Sequence, residues 1–408
     1  MTSKLASVYA SRLFGALGFQ IFSIFAALRA FEISPKLSTM GWLGFATFLS
    51  VALFSFLSGS WIDRVANKGL YALLLHAAIA AISIMSVFLP ANSLLPLYGL
   101  AFAIGSFRVM RSPVYFVLAK ELMTDDSHDL GPARLFVASW QLAGVLGPLL
   151  SGIVALNFGL QALQLLYCLF FAAAFACLIP VAALRAVNTS PFKTDQPNSN
   201  GLVDSVRFFI KTRVVRETFV IDTIGILFAG ASAFLPFLLT SSHLSPSYLG
   251  VIRAAQNAGA LLVTLSLSRQ WLNNQTGKLF LVSVLAFSAL TITVPFATTL
   301  SALLIVFSAM GLTDGVSILI RDLILFQTAT PQLRGRIYAL NSIFISSSDD
   351  LGELESGLAG HVFGIPAAAI GGGLICGAIA LYFTTQSKDL WSYQLQAERK
   401  SGPQESAA

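Results

Sequence analysis

The sequence predicts an all-α membrane protein whose twelve transmembrane helices form two six-helix, pseudo-symmetric bundles. Three observations predict it. Apolar stretches of about 20 residues, the length needed to cross a bilayer, recur along the whole chain. Charged residues make up only 11% of the chain against about 25% in soluble domains, and mean hydropathy is +0.77. A polar segment near the middle divides the apolar stretches six and six.

The first span, 8–31, is too long, and too polar at Arg12 and Gln20, for a cleaved signal peptide. Spans 2 and 3, 39–60 and 70–89, flank a loop with Asp63, Arg64 and Lys68. Span 4, 94–119, carries Arg108 and Arg111 at depth; spans 5 and 6 follow at 134–156 and 160–184. The linker 185–215 begins polar, and its end, Val203 to Val215, has the mixed pattern of a short helix lying on the membrane surface. Spans 7, 8 and 9 are 216–240, 247–268 and 278–297, with Asp222 near the inner end of span 7. Arg253 in span 8 is expected near the outer mouth, without a role. Span 10, 300–326, holds Asp314 and Arg321; span 11, 336–360, holds Asp349, Asp350 and Glu353; span 12 is 363–384. The tail from 388 to 408 is expected to be a mobile cytoplasmic end. The expected domains are thus 1–184, 185–215, 216–387 and 388–408.

Charge placement orients the chain. Arg64, Lys68, Lys120, Arg134, Arg185 through Arg216, Arg269, Lys278, Arg334 and Arg336 share one set of loops with both termini, while the opposite set holds little beyond Lys36. The positive-inside rule puts that set in the cytoplasm. The net charge of +6 is therefore a topological signal, and no nucleic-acid partner is expected. Cys168, Cys177 and Cys376 lie in apolar stretches without metal spacing. No nucleotide loop, metal quartet or nucleophile triad occurs, and Gly371-Gly372-Gly373 follows no strand. No enzyme activity, cofactor or metal is expected.

A charge at bilayer depth costs about 2.5–3.5 kcal/mol on insertion scales, so such groups normally face a cavity and carry function. Glu353 lies four residues after Asp349 and three after Asp350, so each faces it on the helix. They cannot all be ionised together, since like charges repel and desolvation favours the neutral form; one of them is expected to bind and release a proton. Alternatively they only balance arginines. Arg108 and Arg111, three apart, are placed to capture a substrate carboxylate together, or to pair with the span 11 acids. Arg321 and Asp314, seven apart, share a face as substrate ligands or as a structural pair. His76 reads as packing, and Arg29, Glu32, Trp42 and Trp61 as interfacial residues.

The halves echo each other: span 5 opens Arg134-Leu135-Phe136, span 11 opens Arg336-Ile337-Tyr338, and spans 4 and 10 each bury an arginine in the inner half. Such repeats place a binding site at the midplane between two bundles.

The loop Gly59-Ser60-Trp61-Ile62-Asp63-Arg64-Val65-Ala66-Asn67-Lys68 resembles the signature loop of the major facilitator superfamily, Gly-x-x-x-Asp-(Arg/Lys)-x-Gly-Arg-(Arg/Lys). The resemblance implies a cytoplasmic gate at Gly59, Asp63, Arg64 and Lys68, although Ala66 and Asn67 replace the usual Gly and Arg. Gly144, Gly147, Pro148 and Gly152 in span 5 resemble the motif of superfamily antiporters, with Ser151 in place of the first paired Gly; it implies efflux. Gln327-Thr328-Ala329-Thr330-Pro331, Gly335-Arg336-Ile337 and Asp349-x-x-Gly352 resemble the enterobactin-exporter branch, whose relatives include macrolide-efflux proteins. That branch has an acidic counterpart only for Asp349 and lacks Arg108 and Arg111. The combined expectation is a monomeric, proton-coupled antiporter of a bacterial inner membrane that exports a small hydrophilic metabolite, a carboxylate-type siderophore. Drug or macrolide efflux and import of an anionic metabolite or ferric siderophore are the alternatives. A non-transporting sensor or scaffold has no use for buried charges.

Overall fold

The structure, a computed structural model, describes residues 3–65, 67–88, 90, 92–122, 131–182, 207–267, 269–329 and 334–394. Among these every regular element is helical, because backbone polar groups in hydrocarbon must be satisfied within the segment.

Helix α1 (Ser3–Ile33) ends before Pro35, and α2 (Leu37–Arg64) returns across the membrane. Helix α3 (Lys68–Met85) starts at the Asn67 side chain, which accepts the Leu70 N–H at 2.9 Å. Helix α4 (Leu94–Leu122) follows. Helix α5 (Gly131–Ala182) is two crossings in one element, broken where Gly159 takes φ +78°, a conformation that favours glycine. The expected boundary between spans 5 and 6 fell at this glycine. Helices α6 (Arg213–Ala229) and α7 (Leu235–Ser241) form one crossing interrupted at 230–234. Then come α8 (Tyr248–Ser266), α9 (Arg269–Thr293), α10 (Leu300–Thr328), α11 (Arg334–Phe363), α12 (Ile365–Gln386) and a last turn, α13 (Lys388–Trp391).

Among the described residues, eight stretches are long and apolar enough to cross a membrane. Counting Ser139–Ala182 twice and adding the more polar α4, α8 and α11 gives twelve crossings. The described ends, Ser3 and Gln394, therefore lie on one face, the near face, and the α1–α2 turn on the opposite, far face.

Within the first half α1 and α3 pack on α5, and α2 on α4; within the second, α9 packs on α12 and α10, α8 on α10, and α11 on α6. Two seams join the halves, α2 against α11 and α5 against α8. Toward the far face one apolar cluster runs through both halves, from Ile21 and Phe25 to Phe234, Leu249 and Phe307. Toward the near face the described residues form separate clusters, one around Val8, Leu75 and Val114 and one around Phe280, Ile320 and Ile337. The halves are thus sealed together at the far face.

Two expectations change. The linker's end is helical at 207–211, but Phe209 is turned into the protein, against Phe219 and Phe344. Phe209 finds aromatic partners on α6 and α11, while Ile210 of the same turn is exposed. The tail is docked at its start: Leu390 is fully buried, Asp389 pairs with Arg213 at 2.8 Å, and the Gly277 N–H donates to the Tyr393 carbonyl. Residues 395–408 lie outside the described residues.

Candidate substrate and proton site

A cavity of about 120 Å³ lies between the halves at mid-depth. Helices α1, α2 and α4 contribute Phe19, Phe22, Ser23, Thr47 and Arg108; α8 and α11 contribute Arg253, Asp350 and Glu353. The break between α6 and α7 brings Ser232 and Ala233 to the same wall. Irregular backbone at membrane depth is tolerated where it lines a cavity.

The three acids of α11 are brought together but do different things. Glu353 forms an ion pair with Arg253 at 2.9 Å, each about a third exposed. Asp350 Oδ1 lies 2.9 Å from the Thr47 hydroxyl of the opposite half. Its Oδ2 is buried without a partner among the described residues. Asp349 is exposed and lies within electrostatic reach of Glu353, Arg253, Arg321 and Arg108.

The arginines do not act as expected. Arg108 stands over the Phe19 ring, 4.3 Å from its centroid, and Phe19 stacks with Trp140 of α5. Such a contact holds a guanidinium in place without neutralising it. Arg111 is buried and points away from the cavity; it donates to the Gly15 carbonyl at 2.8 Å. A Cβ at position 15 would lie 2.2 Å from its NH1, so glycine makes the space that draws Arg111 to α1. The expected joint capture of a carboxylate by Arg108 and Arg111 is therefore corrected. Arg321 is corrected too: it forms a buried ion pair with Asp222 of α6, not with Asp314. Asp314 instead lies near Asp349. Arg253, assigned no role from the sequence, lines the cavity.

His76 sits in a buried polar chain: its Nε2 is 2.7 Å from the Tyr115 hydroxyl, which is 2.7 Å from Ser11 Oγ. That matches packing.

Gly144, Pro148 and Gly152 form the α5 side of one seam, while Gly147 packs against Gln20 and Leu17 of α1. A Cβ at Gly250 of α8 would lie 2.4 Å from the Pro148 carbonyl, so the two backbones touch. Pro148 has no N–H for the Gly144 carbonyl one turn earlier; the Asn257 side chain of α8 donates to that carbonyl instead, at 2.5 Å. Gly59, Asp63 and Arg64 fall in the last turns of α2, where their side chains lie outside the described residues. Lys68 opens α3.

The sequence profile of the Major Facilitator Superfamily matches residues 8–349. The chain belongs to the Major Facilitator Superfamily. As a superfamily member it is a multi-pass membrane protein and a secondary transporter, not an enzyme. No curated protein matches the sequence. Solved structures agree on the fold. A structure described as the nucleoside transporter NupG is 12% identical, with TM-score 0.74 over 97% of this chain and 100% of that one. A POT family transporter in complex with a thioalcohol-conjugated peptide is 12% identical, with TM-score 0.72 over 95% of this chain and 96% of that one. The POT family transporter PepTSo is 12% identical, with TM-score 0.68 over 95% of this chain and 99% of that one.

Proposed function

We propose that the protein is a proton-coupled antiporter of a bacterial inner membrane, termini cytoplasmic, that exports a small anionic metabolite of the carboxylate-siderophore class. The observation that carries this reading is the division of charge across the cavity. Arg108 comes from the first half, held over the Phe19 ring, while Asp350 and Glu353 line the cavity from the second, with Asp349 next to them on α11. A substrate carboxylate completes Arg108; the acid cluster supplies the proton. Arg253, paired with Glu353, lines the same cavity. Arg111, Arg321 and Asp222 hold the bundles, and Asp314 adds to the acid cluster through Asp349.

Residues 1–184 and 216–387 rock as two bodies about the midplane site. The near-face gate is assigned to Gly59, Asp63, Arg64 and Lys68, and the working unit to the monomer. The likeness of 325–360 to the enterobactin-exporter branch supports a siderophore and export. The enclosed volume is below the roughly 300–1,000 Å³ of pockets that hold drug-sized ligands, so a siderophore enters only as the near side widens.

Drug efflux is the second reading, favoured by Phe19 and Phe22 in the cavity wall and by Trp140 stacked on Phe19. Binding of a citrate-type siderophore to wild type and to Arg108→Gln separates them. Siderophore binding that weakens at least tenfold in the variant supports the first reading. Binding only of neutral lipophilic drugs, unchanged by Arg108→Gln, establishes the second.

A further inference from the structure

The contact between Thr47 and Asp350 joins the two halves at the cavity. Thr47 Oγ1 lies 2.8 Å from the Gly44 carbonyl and 2.9 Å from Asp350 Oδ1. A hydroxyl has one proton and two lone pairs, so it cannot donate to both. A threonine inside a helix commonly donates back to a carbonyl three or four residues earlier. With that proton on Gly44, the Thr47 and Asp350 oxygens hold a hydrogen bond only if the carboxyl brings the proton. With Asp350 ionised, Thr47 has to abandon Gly44 to make a single bond.

The position of this contact gives it leverage. It lies on the α2–α11 seam, one turn from where the backbones close: Glu353 Cβ and the Asp350 carbonyl both stand 2.8 Å from where a Cβ on Gly44 would be. The same seam runs on to the far face, where a Cβ on Gly357 would meet the Gly41 nitrogen at 2.6 Å.

We infer that Thr47 is a positioning residue for coupling: protonated Asp350 donates to its hydroxyl and clasps the far-face seam shut, and loss of that proton frees the seam to part. What this does in transport rests on the proton-coupled reading above. Closure and proton binding are then linked. The groups facing Asp350 are Arg108 of α4, Arg253 of α8 through its pair with Glu353, and Asp349 and Glu353 on its own helix. Asp314 of α10 acts at one remove, beside Asp349. The described part of α2 through Ser55 contributes no charge.

The test uses Ser23→Cys, a cavity-lining position on α1, with Cys168, Cys177 and Cys376 replaced by alanine. A membrane-impermeant maleimide is applied from the far face of proteoliposomes. Each rate is divided by that of the same cysteine in unfolded protein at the same pH. Expected is slow labelling at acid pH that speeds up as pH rises. Asp350→Asn, whose amide donates to Thr47 at every pH, stays slow throughout. Thr47→Val labels about five- to tenfold faster at acid pH, in keeping with loss of one hydrogen bond, and loses the pH dependence; Thr47→Ser keeps it. A Thr47→Val profile that follows wild type, or fast labelling of Asp350→Asn, overturns the clasp. Substrate-driven proton flux in the same vesicles separates the two ideas. Flux with no pH-gated labelling sinks the clasp alone; pH-gated labelling with no flux keeps the clasp and sinks proton-coupled transport.

Discussion

Asn257 donates its side-chain N–H to the Gly144 carbonyl, the group that Pro148 leaves without a helical donor. A proline within one half thus creates an acceptor that a residue of the other half satisfies. The bond crosses the α5–α8 seam where Gly250 lets the backbones touch, so backbone chemistry in α5 and side-chain chemistry in α8 form one joint.

The joint predicts non-additive stability. Asn257→Leu leaves a buried carbonyl unsatisfied and is expected to cost about 1–3 kcal/mol. In a Pro148→Ala background the helix supplies its own donor, and the same change is expected to cost little. Reversible denaturant unfolding of the four proteins in a double-mutant cycle gives the coupling. Equal costs in both backgrounds would remove Pro148 from the account.

The far-face seam predicts a steric effect. Gly357→Ala puts a methyl 2.6 Å from the Gly41 backbone nitrogen and is expected to hold α2 and α11 apart. Far-face labelling of Ser23→Cys should rise several-fold. Gly371→Ala, where a Cβ meets nothing within 4 Å, serves as control and should match wild type.

The buried Asp222–Arg321 pair predicts an asymmetry. Breaking a buried pair typically costs about 3–5 kcal/mol because a charge is left uncompensated. Asp222→Asn should therefore lower stability by that order, and Asp222→Asn with Arg321→Gln should recover part of it. Asp314→Asn, which breaks no ion pair among the described residues, should change stability far less. A large loss in Asp314→Asn, read by the same unfolding assay, would restore the Asp314–Arg321 pairing expected from spacing.

The docked start of the tail predicts a loss of stability when it is removed. Removal from Ser387 onward deletes the Ser387–Glu217 hydrogen bond, the Arg213–Asp389 pair and buried Leu390, and should lower the melting temperature by several degrees.

The helices and their number were legible because hydrocarbon allows little else: twenty apolar residues between polar turns read as a crossing wherever they occur. The break at Gly159 was legible for the same reason, since a single helix could not hold two crossings. The partners of charged groups were not. Arg108 and Arg111 do lie near one face of α4, as positions three apart must. Their long side chains then diverge, one to an aromatic ring and one to the gap at Gly15. Arg253 and Glu353 are 100 residues apart in sequence, and no local pattern pairs them. The Asn257 contact does have a signal in the sequence. A proline inside a helix leaves a carbonyl that some donor must satisfy, and a polar residue in a facing span was the natural candidate.

The central claim is that the α11 acids couple proton movement to substrate movement, and substrate-evoked proton flux in proteoliposomes tests it most directly. Wild-type protein loaded with a citrate-type siderophore should move protons against substrate. Asp349→Asn and Asp350→Asn, expressed and folded as wild type, should each lose that flux. Wild-type flux in both variants, or substrate transport by the wild type with no proton movement, would contradict the account.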